Sequence, residues 1–285
     1  THFCLFKAQK KVMSTHLRRS PRLKAKAEAK AEVEALYEKS QAGKCEEFGY
    51  KTAFFIDTNS RLGRFDTVEN RVRTLLKVVL LFATLVLLFW LLFVDQDGKL
   101  QNVFASPRFC VSWIFAAVFV ARVLIQMSFF WSRSIPWVEV LAEAGGIIPL
   151  SLSSLAYEAK KVGGEISTAA LAAAILLFLA GTWLNLWSEF QRYAFKLDKR
   201  NKGKLFTGGL FGACRHINYF GEILSFVGYA VVAGTWLSFW VPVVMGIGMG
   251  VFSVPELEFY LEKKYAKSWQ GYVKRTPCVM IPYIW

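Results

Sequence analysis

Residues 74–94 read TLLKVVLLFATLVLLFWLLFV, an apolar run that is interrupted by a single lysine. About 20 predominantly apolar residues are enough for an α-helix to cross the hydrocarbon core of a bilayer. The run therefore predicts a membrane-spanning helix. Further segments share this character and are also predicted as spans; they are residues 108–130, 135–157, 166–187, 218–232 and 236–254. The sequence thus predicts an all-α, polytopic membrane helix bundle with about six transmembrane helices.

Composition and charge agree with a membrane protein. Of the 285 residues, 54% are hydrophobic, compared with about 45–50% in an average soluble domain. The net charge of +14 would indicate nucleic-acid binding in a soluble protein, but in a membrane protein Lys and Arg collect in cytoplasmic loops. With six spans, nearly all Lys and Arg lie on the side of both termini. We therefore expect cytosolic termini and no nucleic-acid partner.

The N-terminal part contains no predicted span. Residues 1–72 carry a basic arm followed by a stretch of Ala, Lys and Glu, and we expect a basic, partly disordered cytosolic tail that contacts anionic lipid headgroups. The alternative is a nuclear or nucleic-acid patch. Residues 73–285 form the predicted membrane domain. The five cysteines are scattered and contain no CxxC pair, so they indicate neither a metal site nor a disulfide framework.

The chain places most of its polar groups next to apolar sequence between residues 185 and 222. Asn185 and Glu189 end one predicted span, Asn218 and Glu222 begin the next, and the members of each pair are four residues apart, so they share a helix face. Burying an unpaired carboxylate in an apolar helix is costly. The basic residues alone would fit an ordinary cytoplasmic loop, but together with these polar ends they predict a ligand site.

Several ordered motifs resemble one family. RHINYFGE, preceded by TGGLF and followed by GYA, resembles the C-terminal signature of the steroid 5-alpha-reductase-like family, including its DUF1295 type and the related sterol C=C reductases. NLWSE is similar to the family's Asn-x-x-Ser-Asp segment. EFY and the ending KKYAKSWQGYVKRTPCVMIP are similar to its last motifs. The resemblance covers about residues 135–285.

The resemblance implies an NADPH-dependent reductase in the endoplasmic reticulum membrane, which adds hydride to a polarised C=C of a steroid, sterol or other lipid. Residues 185–285 would form the cofactor-binding part. The residues implied for NADPH are Asn185, Glu189, Asn218 and Glu222 around nicotinamide and ribose, Lys196, Arg200 and Lys204 around the phosphates, and His216, Tyr219 and Tyr260 along the pocket. Arg192 and Arg215 are also predicted to bind the cofactor.

The predicted catalytic residues are Glu143, Tyr157 and Tyr219. Glu143 precedes GGIIP, which resembles the Glu-before-Pro segment that holds the substrate carbonyl in steroid reductases. A carboxylic acid in an apolar site can stay protonated and donate a hydrogen bond. The alternative is that Glu139 and Glu143, four residues apart, pair with Arg122 or Arg133 inside the bundle.

Two other functions remain open. Isoprenylcysteine and phospholipid methyltransferases have a related RH-Pro-x-Tyr-x-Gly pattern and bind S-adenosylmethionine, but Ile217 stands where they have Pro, and Glu222 follows the Gly. The NYFGE motif with Asn185 and Glu189 favours the reductase. The other alternative is a non-catalytic membrane scaffold that uses the basic N-terminal arm to hold a partner.

Overall fold

The computed structural model describes residues 67–95, 97–100, 106–130 and 135–284. All of them belong to one compact unit, Phe54–Trp285. The predicted basic arm and most of the predicted N-terminal tail lie outside the described residues, as do residues 131–134. In the described part the secondary structure is helical, apart from one isolated bridge between Val94 and Leu100. The predicted all-α fold class is confirmed.

The described part contains eight α-helices in chain order, and three π-helical segments extend or join four of them. The π-helical segments are Gln126–Phe130 after α2, Glu139–Ile147 before α3 and Met249–Ser253 between α6 and α7. The α-helices are α1 (Val68–Phe93), α2 (Pro107–Ile125), α3 (Ile148–Val162), α4 (Thr168–Leu197), α5 (Ile217–Ala233), α6 (Trp240–Gly248), α7 (Val254–Tyr265) and α8 (Lys267–Arg275).

Within the described residues, five helical segments are long and apolar enough to cross a membrane. They correspond to five of the predicted spans, and the remaining predicted span is α5, an apolar helix of 17 residues. Two helices extend further than predicted. α4 continues through SEFQRYAFKL, all compatible with a helix, until Asp198 ends it. The last span, predicted to end at residue 254, continues as α7 to Tyr265.

α4 and α5 pack unusually closely along a seam of glycines. A Cβ on Gly181 would lie 2.3 Å from the backbone nitrogen of Ser225, and one on Gly221 would lie 2.6 Å from that of Asn185. A Cβ on Gly228 would lie 2.6 Å from the backbone nitrogen of Phe178. Small residues allow membrane helices to approach to backbone contact. The seam therefore fixes the register between the two helices that carry most of the predicted site.

α2 packs against α5 through aromatic side chains in antiparallel register. Phe115 meets Tyr229 edge to face at 5.9 Å between ring centroids, and Phe119 meets Phe226 at 5.2 Å. Edge-to-face pairs add favourable electrostatics to apolar burial. One turn further along α2 comes Arg122, which this register places beside the first turns of α5.

The glycine seam can be tested with Gly228→Ala. In an exposed helix this change would stabilise by up to about 1 kcal/mol, because Ala has the higher helix propensity. At Gly228 the new methyl would overlap backbone atoms of α4, so we expect a net destabilisation of about 1–3 kcal/mol. The control is Gly248→Ala, whose Cβ would meet nothing within 4 Å. Equal melting temperatures of the two purified variants in detergent would contradict the seam.

Candidate active site

A group of amide and carboxylate side chains lies between α2, α4 and α5. Nδ2 of Asn185 donates to the backbone oxygen of Asn218 at 2.9 Å and to Oε2 of Glu222 at 3.1 Å. Oδ1 of Asn185 accepts from Nε2 of Gln126 at 2.6 Å. Asn185 and Gln126 are buried. The structure thus brings the predicted pair Asn185 and Glu222 into direct contact, and adds Gln126 from α2.

An ion pair between the buried Arg122 and the half-buried Glu222 completes this group. Nη2 of Arg122 donates to Oε1 of Glu222 at 2.6 Å, and the guanidinium lies over the ring of Phe119 at 5.0 Å. Arg122 is 2% exposed. The pairing offsets the free-energy cost of placing the Glu222 carboxylate in an apolar helix, because each charge neutralises the other. The other donor atoms of Arg122, Nε and Nη1, are buried and form no hydrogen bond with any described residue.

The other two predicted polar residues pair one helical turn closer to the basic loop. Oε1 of Glu189 accepts from Nδ2 of Asn218 at 3.0 Å, and Oε2 of Glu189 forms an ion pair with Arg192 on the same helix. Glu189 is buried although it lies near the end of α4. The four predicted residues of NLWSE and NYFGE therefore form one connected hydrogen-bonded group.

Basic residues at the end of α4 and in the loop after it are exposed to solvent, unlike the group described above. The Arg200 guanidinium is 88% exposed and pairs with Asp198, which lowers the pKa of the Asp198 carboxyl. The side chains of Lys196 and Lys204 are also exposed. Exposed ion pairs contribute little to stability. These residues therefore form an accessible cationic surface beside the buried group rather than part of its hydrogen-bond network.

Arg215 and His216 connect the loop to the C-terminal helices. Nε of Arg215 donates to Oε1 of Glu258 at 2.8 Å, and Nε2 of His216 lies 3.1 Å from the same oxygen. Nη1 of Arg215 also donates to the backbone oxygen of Thr276 at 2.7 Å. The His216 ring stacks on Tyr219 with 5.5 Å between centroids. This pair of residues holds α5, α7 and the C-terminal segment together at one point.

The segment after α8 lies along the loop before α5. The backbone nitrogen of His216 donates to the backbone oxygen of Val279 at 2.8 Å. The hydroxyl of Tyr272 donates to the backbone oxygen of Phe211 at 2.7 Å, and burial raises the pKa of this hydroxyl. The predicted residue Tyr260 lies on α7 and accepts from Lys264 at 2.7 Å. The C-terminal segment therefore supports the loop directly.

A family model matches the part of the chain that contains this group. It covers residues 147–276 and is described as a protein of unknown function, DUF1295. We call the matched residues 147–276 the DUF1295 domain. The match includes both helices of the glycine seam and the loop between them. The resemblance predicted from RHINYFGE and NLWSE is confirmed.

Curated relatives share parts of the chain. A Delta(14)-sterol reductase of Arabidopsis thaliana is 22% identical over 211 residues, which is 67% of this chain and 54% of that protein. A probable O-methyltransferase of Ustilaginoidea virens is 31% identical over 113 residues, 36% of this chain and 37% of that protein. A steroid 5-alpha-reductase of Gossypium hirsutum is 34% identical over 67 residues, 24% of this chain and 26% of that protein. The chain spans about half, or less, of the length of these relatives.

Two predicted catalytic residues lie apart from the hydrogen-bonded group of the DUF1295 domain. Glu143, in the π-helical segment before α3, pairs with Nζ of Lys77 on α1 at 3.0 Å, and Glu139 pairs with the same atom at 2.7 Å. These carboxylates thus pair inside the bundle with Lys77 of the first span, which is neither of the two partners predicted from the sequence. Tyr157 on α3 is 65% exposed.

Sequence reasoning did not include Arg122 and Gln126 among the site residues. Both lie before the DUF1295 domain and outside the motifs that carry the resemblance. A signal was present, because ionisable and amide residues within an apolar span normally face the bundle interior. Their spacing of four residues on one helix face also indicated a shared neighbour. Among the described residues, no group of three or more His, Cys, Asp or Glu has the arrangement of a metal site.

The loop of the DUF1295 domain gives a testable pH dependence through Cys214. Its thiol is fully buried beside Phe211 and Ile217, and burial raises its pKa to about 11. An unfolded thiol ionises near pH 8.5, as a rule, so the thiol's contribution to stability is complete below about pH 8.5 and is lost as the pH rises towards 11. We expect iodoacetamide at pH 8.5 to modify Cys278 before Cys214, measured by peptide mass spectrometry. Equal rates in the folded protein would contradict this, and the detergent-denatured chain is the control.

Proposed function

We propose that the chain is an NADPH-dependent membrane reductase that acts on a polarised C=C of a sterol, steroid or similar lipid. Relatives that are named sterol and steroid reductases support the reaction class. The apolar helices support a substrate that enters from the lipid phase. We further propose an endoplasmic reticulum location with cytosolic termini, because the basic loop would then face the compartment that contains NADPH.

The observation that carries this proposal is the hydrogen-bonded group of four side chains, in which Asn185 and Glu189 are buried while Asn218 and Glu222 are half-buried. Two carboxylates and two carboxamides on facing helices offer both acceptors and donors, which is the chemistry that binds an amide and sugar hydroxyls. Buried polar networks are costly unless they are satisfied, and here each member already has a partner inside the network. Such a preorganised group can fix a ring and a ribose without large rearrangement.

The charged surroundings fit the remainder of the same cofactor. The exposed cations Lys196, Arg200 and Lys204 would bind phosphates, since ammonium and guanidinium groups suit phosphate oxygens. Arg192 forms an ion pair with Glu189 and so connects these cations to the hydrogen-bonded group. The residues Arg215, His216 and Tyr260 would line the pocket on the side of the C-terminal helices.

A bound nicotinamide cofactor supplies a hydride for addition to the C=C. The protein's part is to bind and orient the lipid, to exclude water and to deliver a proton. Of the three predicted catalytic residues, Tyr219 has the position that best fits proton delivery, because its ring stacks on His216 at the edge of the buried group. Glu143 is neutralised by Lys77, so its proposed contact with a substrate carbonyl requires that this pair open.

Cofactor binding tests the proposal directly. We expect Glu222→Gln and Asn218→Ala to raise the dissociation constant for NADPH by about tenfold or more, because hydrogen bonds to charged groups contribute about 1.5–3 kcal/mol. Energy transfer from protein tryptophans to bound NADPH gives the affinity. The matched control is Glu165→Gln, an exposed carboxylate between α3 and α4. Unchanged affinity in both site variants would overturn the assignment of this group.

A methyltransferase is the second candidate, and the probable O-methyltransferase of Ustilaginoidea virens is the observation that favours it. S-adenosylmethionine carries an amino acid group that could also bind paired carboxylates and amides. Calorimetric titration with S-adenosylmethionine, in parallel with NADPH, separates the two candidates. Tight binding of S-adenosylmethionine with no binding of NADPH would replace the reductase by the methyltransferase.

Lipid profiling tests the reaction in cells. A C=C reductase consumes a substrate that has two hydrogens fewer than its product. We expect a lipid that is two hydrogens lighter to accumulate when the protein is removed, detected by mass spectrometry, and to disappear when the wild-type chain is restored. The Glu222→Gln variant should fail to restore the profile, while Glu165→Gln should restore it. A methylated lipid that disappears instead would favour the methyltransferase.

A further inference from the structure

Arg122 has donor atoms that no described residue accepts from. Nη2 binds Glu222, while Nε and Nη1 are buried without any acceptor among the described residues. A guanidinium carries five N–H donors and stays charged at all relevant pH values. Leaving such donors buried and unsatisfied costs free energy, about 1–3 kcal/mol for a typical group and more for a charged one. Buried donors of this kind indicate a place for an acceptor atom.

Glu222, which is bonded to Arg122, has unused capacity to accept hydrogen bonds. Its Oε1 accepts from Arg122 and its Oε2 accepts from Asn185. An ionised carboxylate can accept about four hydrogen bonds, so each oxygen has capacity for a further donor. A residue with unused acceptors is thus bonded directly to a residue with unused donors.

A primary carboxamide matches this arrangement. Its carbonyl oxygen accepts hydrogen bonds and its NH₂ group donates them, and the two lie side by side on one planar group. We propose that Arg122 binds the carboxamide oxygen of the nicotinamide ring while Glu222 binds the carboxamide NH₂. This inference rests on the proposed function and adds a residue outside the DUF1295 domain to the cofactor site.

The neighbouring contacts support a fixed rather than a mobile guanidinium. Arg122 lies against the ring of Phe119, which is itself packed on Phe226. The register between α2 and α5 therefore holds the guanidinium in place before a ligand binds. A preorganised, desolvated donor is worth more to a ligand than one that must be ordered on binding.

Three dinucleotides separate the two proposed contacts. They are NADPH, its thionicotinamide analogue, in which sulfur replaces the carboxamide oxygen, and its acetylpyridine analogue, in which a methyl group replaces NH₂. Sulfur is a much weaker acceptor than oxygen. The first analogue therefore weakens the contact with Arg122, and the second removes the contact with Glu222.

The double variant is chosen so that no buried charge is left alone. Arg122→Met combined with Glu222→Gln removes both charges, and the amide oxygen at position 222 still accepts from NH₂. Glu222→Gln alone is the matched control, because it keeps Arg122. Arg122→Lys is a second variant, which keeps the positive charge opposite Glu222 but loses the guanidinium geometry. Melting temperatures of all variants are measured in parallel with the affinities.

We expect the wild type and Glu222→Gln to bind NADPH about tenfold more tightly than the thionicotinamide analogue, as a charged hydrogen bond predicts. In Arg122→Met/Glu222→Gln this preference should fall to about twofold or less, and Arg122→Lys should reduce it. The acetylpyridine analogue should bind less tightly than NADPH in all variants.

An unchanged preference for oxygen over sulfur in both Arg122 variants would overturn the inference alone, and Arg122 would then serve only as the ion-pair partner of Glu222. Failure of the wild type to bind any of the three dinucleotides would overturn the proposed function and this inference with it. The readout is binding, so neither result depends on knowing the lipid substrate.

Discussion

The backbone contact between α4 and α5 is the constraint on which the site depends. The glycine positions Gly181, Gly221 and Gly228 remove every Cβ that would separate the two helices. At this distance the short side chain of Asn185 reaches both the backbone and a carboxylate of the opposite helix. Larger residues in the seam would separate the helices by more than a hydrogen bond can bridge. The hydrogen-bonded group is therefore a consequence of the seam, and its geometry is set by packing rather than by the polar residues themselves.

Buried charges provide the second constraint, since two of them pair across helix interfaces. Lys77 with Glu139 is a buried ion pair between helices, and Arg122 with Glu222 is a second pair between helices in which Glu222 is half-buried. Removing one member of such a pair costs more than replacing both. The two pairs differ in the donor atoms that remain unused after pairing. The Lys77 ammonium is shared by Glu139 and Glu143, whereas Arg122 keeps donors that the described protein does not use.

Much of this architecture could be predicted from local sequence. Apolar runs of sufficient length identify the spans, and the four-residue spacing in NLWSE and NYFGE places its polar residues on one face of each helix. What the sequence could not predict is which residues meet across the bundle. Arg122 and Glu222 are 100 residues apart, and no periodicity in either helix records the other. Lys77 and Glu139 are likewise far apart in the chain, and the aliphatic residues around Lys77 do not indicate its partner.

The two ends of the candidate site are supported by separate parts of the fold. The buried group depends on the glycine seam inside the bundle, while the loop that follows depends on Glu258 and the C-terminal segment outside it. Because the supports are independent, a change in the C-terminal segment should disturb the loop without disturbing the hydrogen-bonded group. The dinucleotide that we propose is long enough to use both supports, and for this reason we favour the proposed reductase over the methyltransferase.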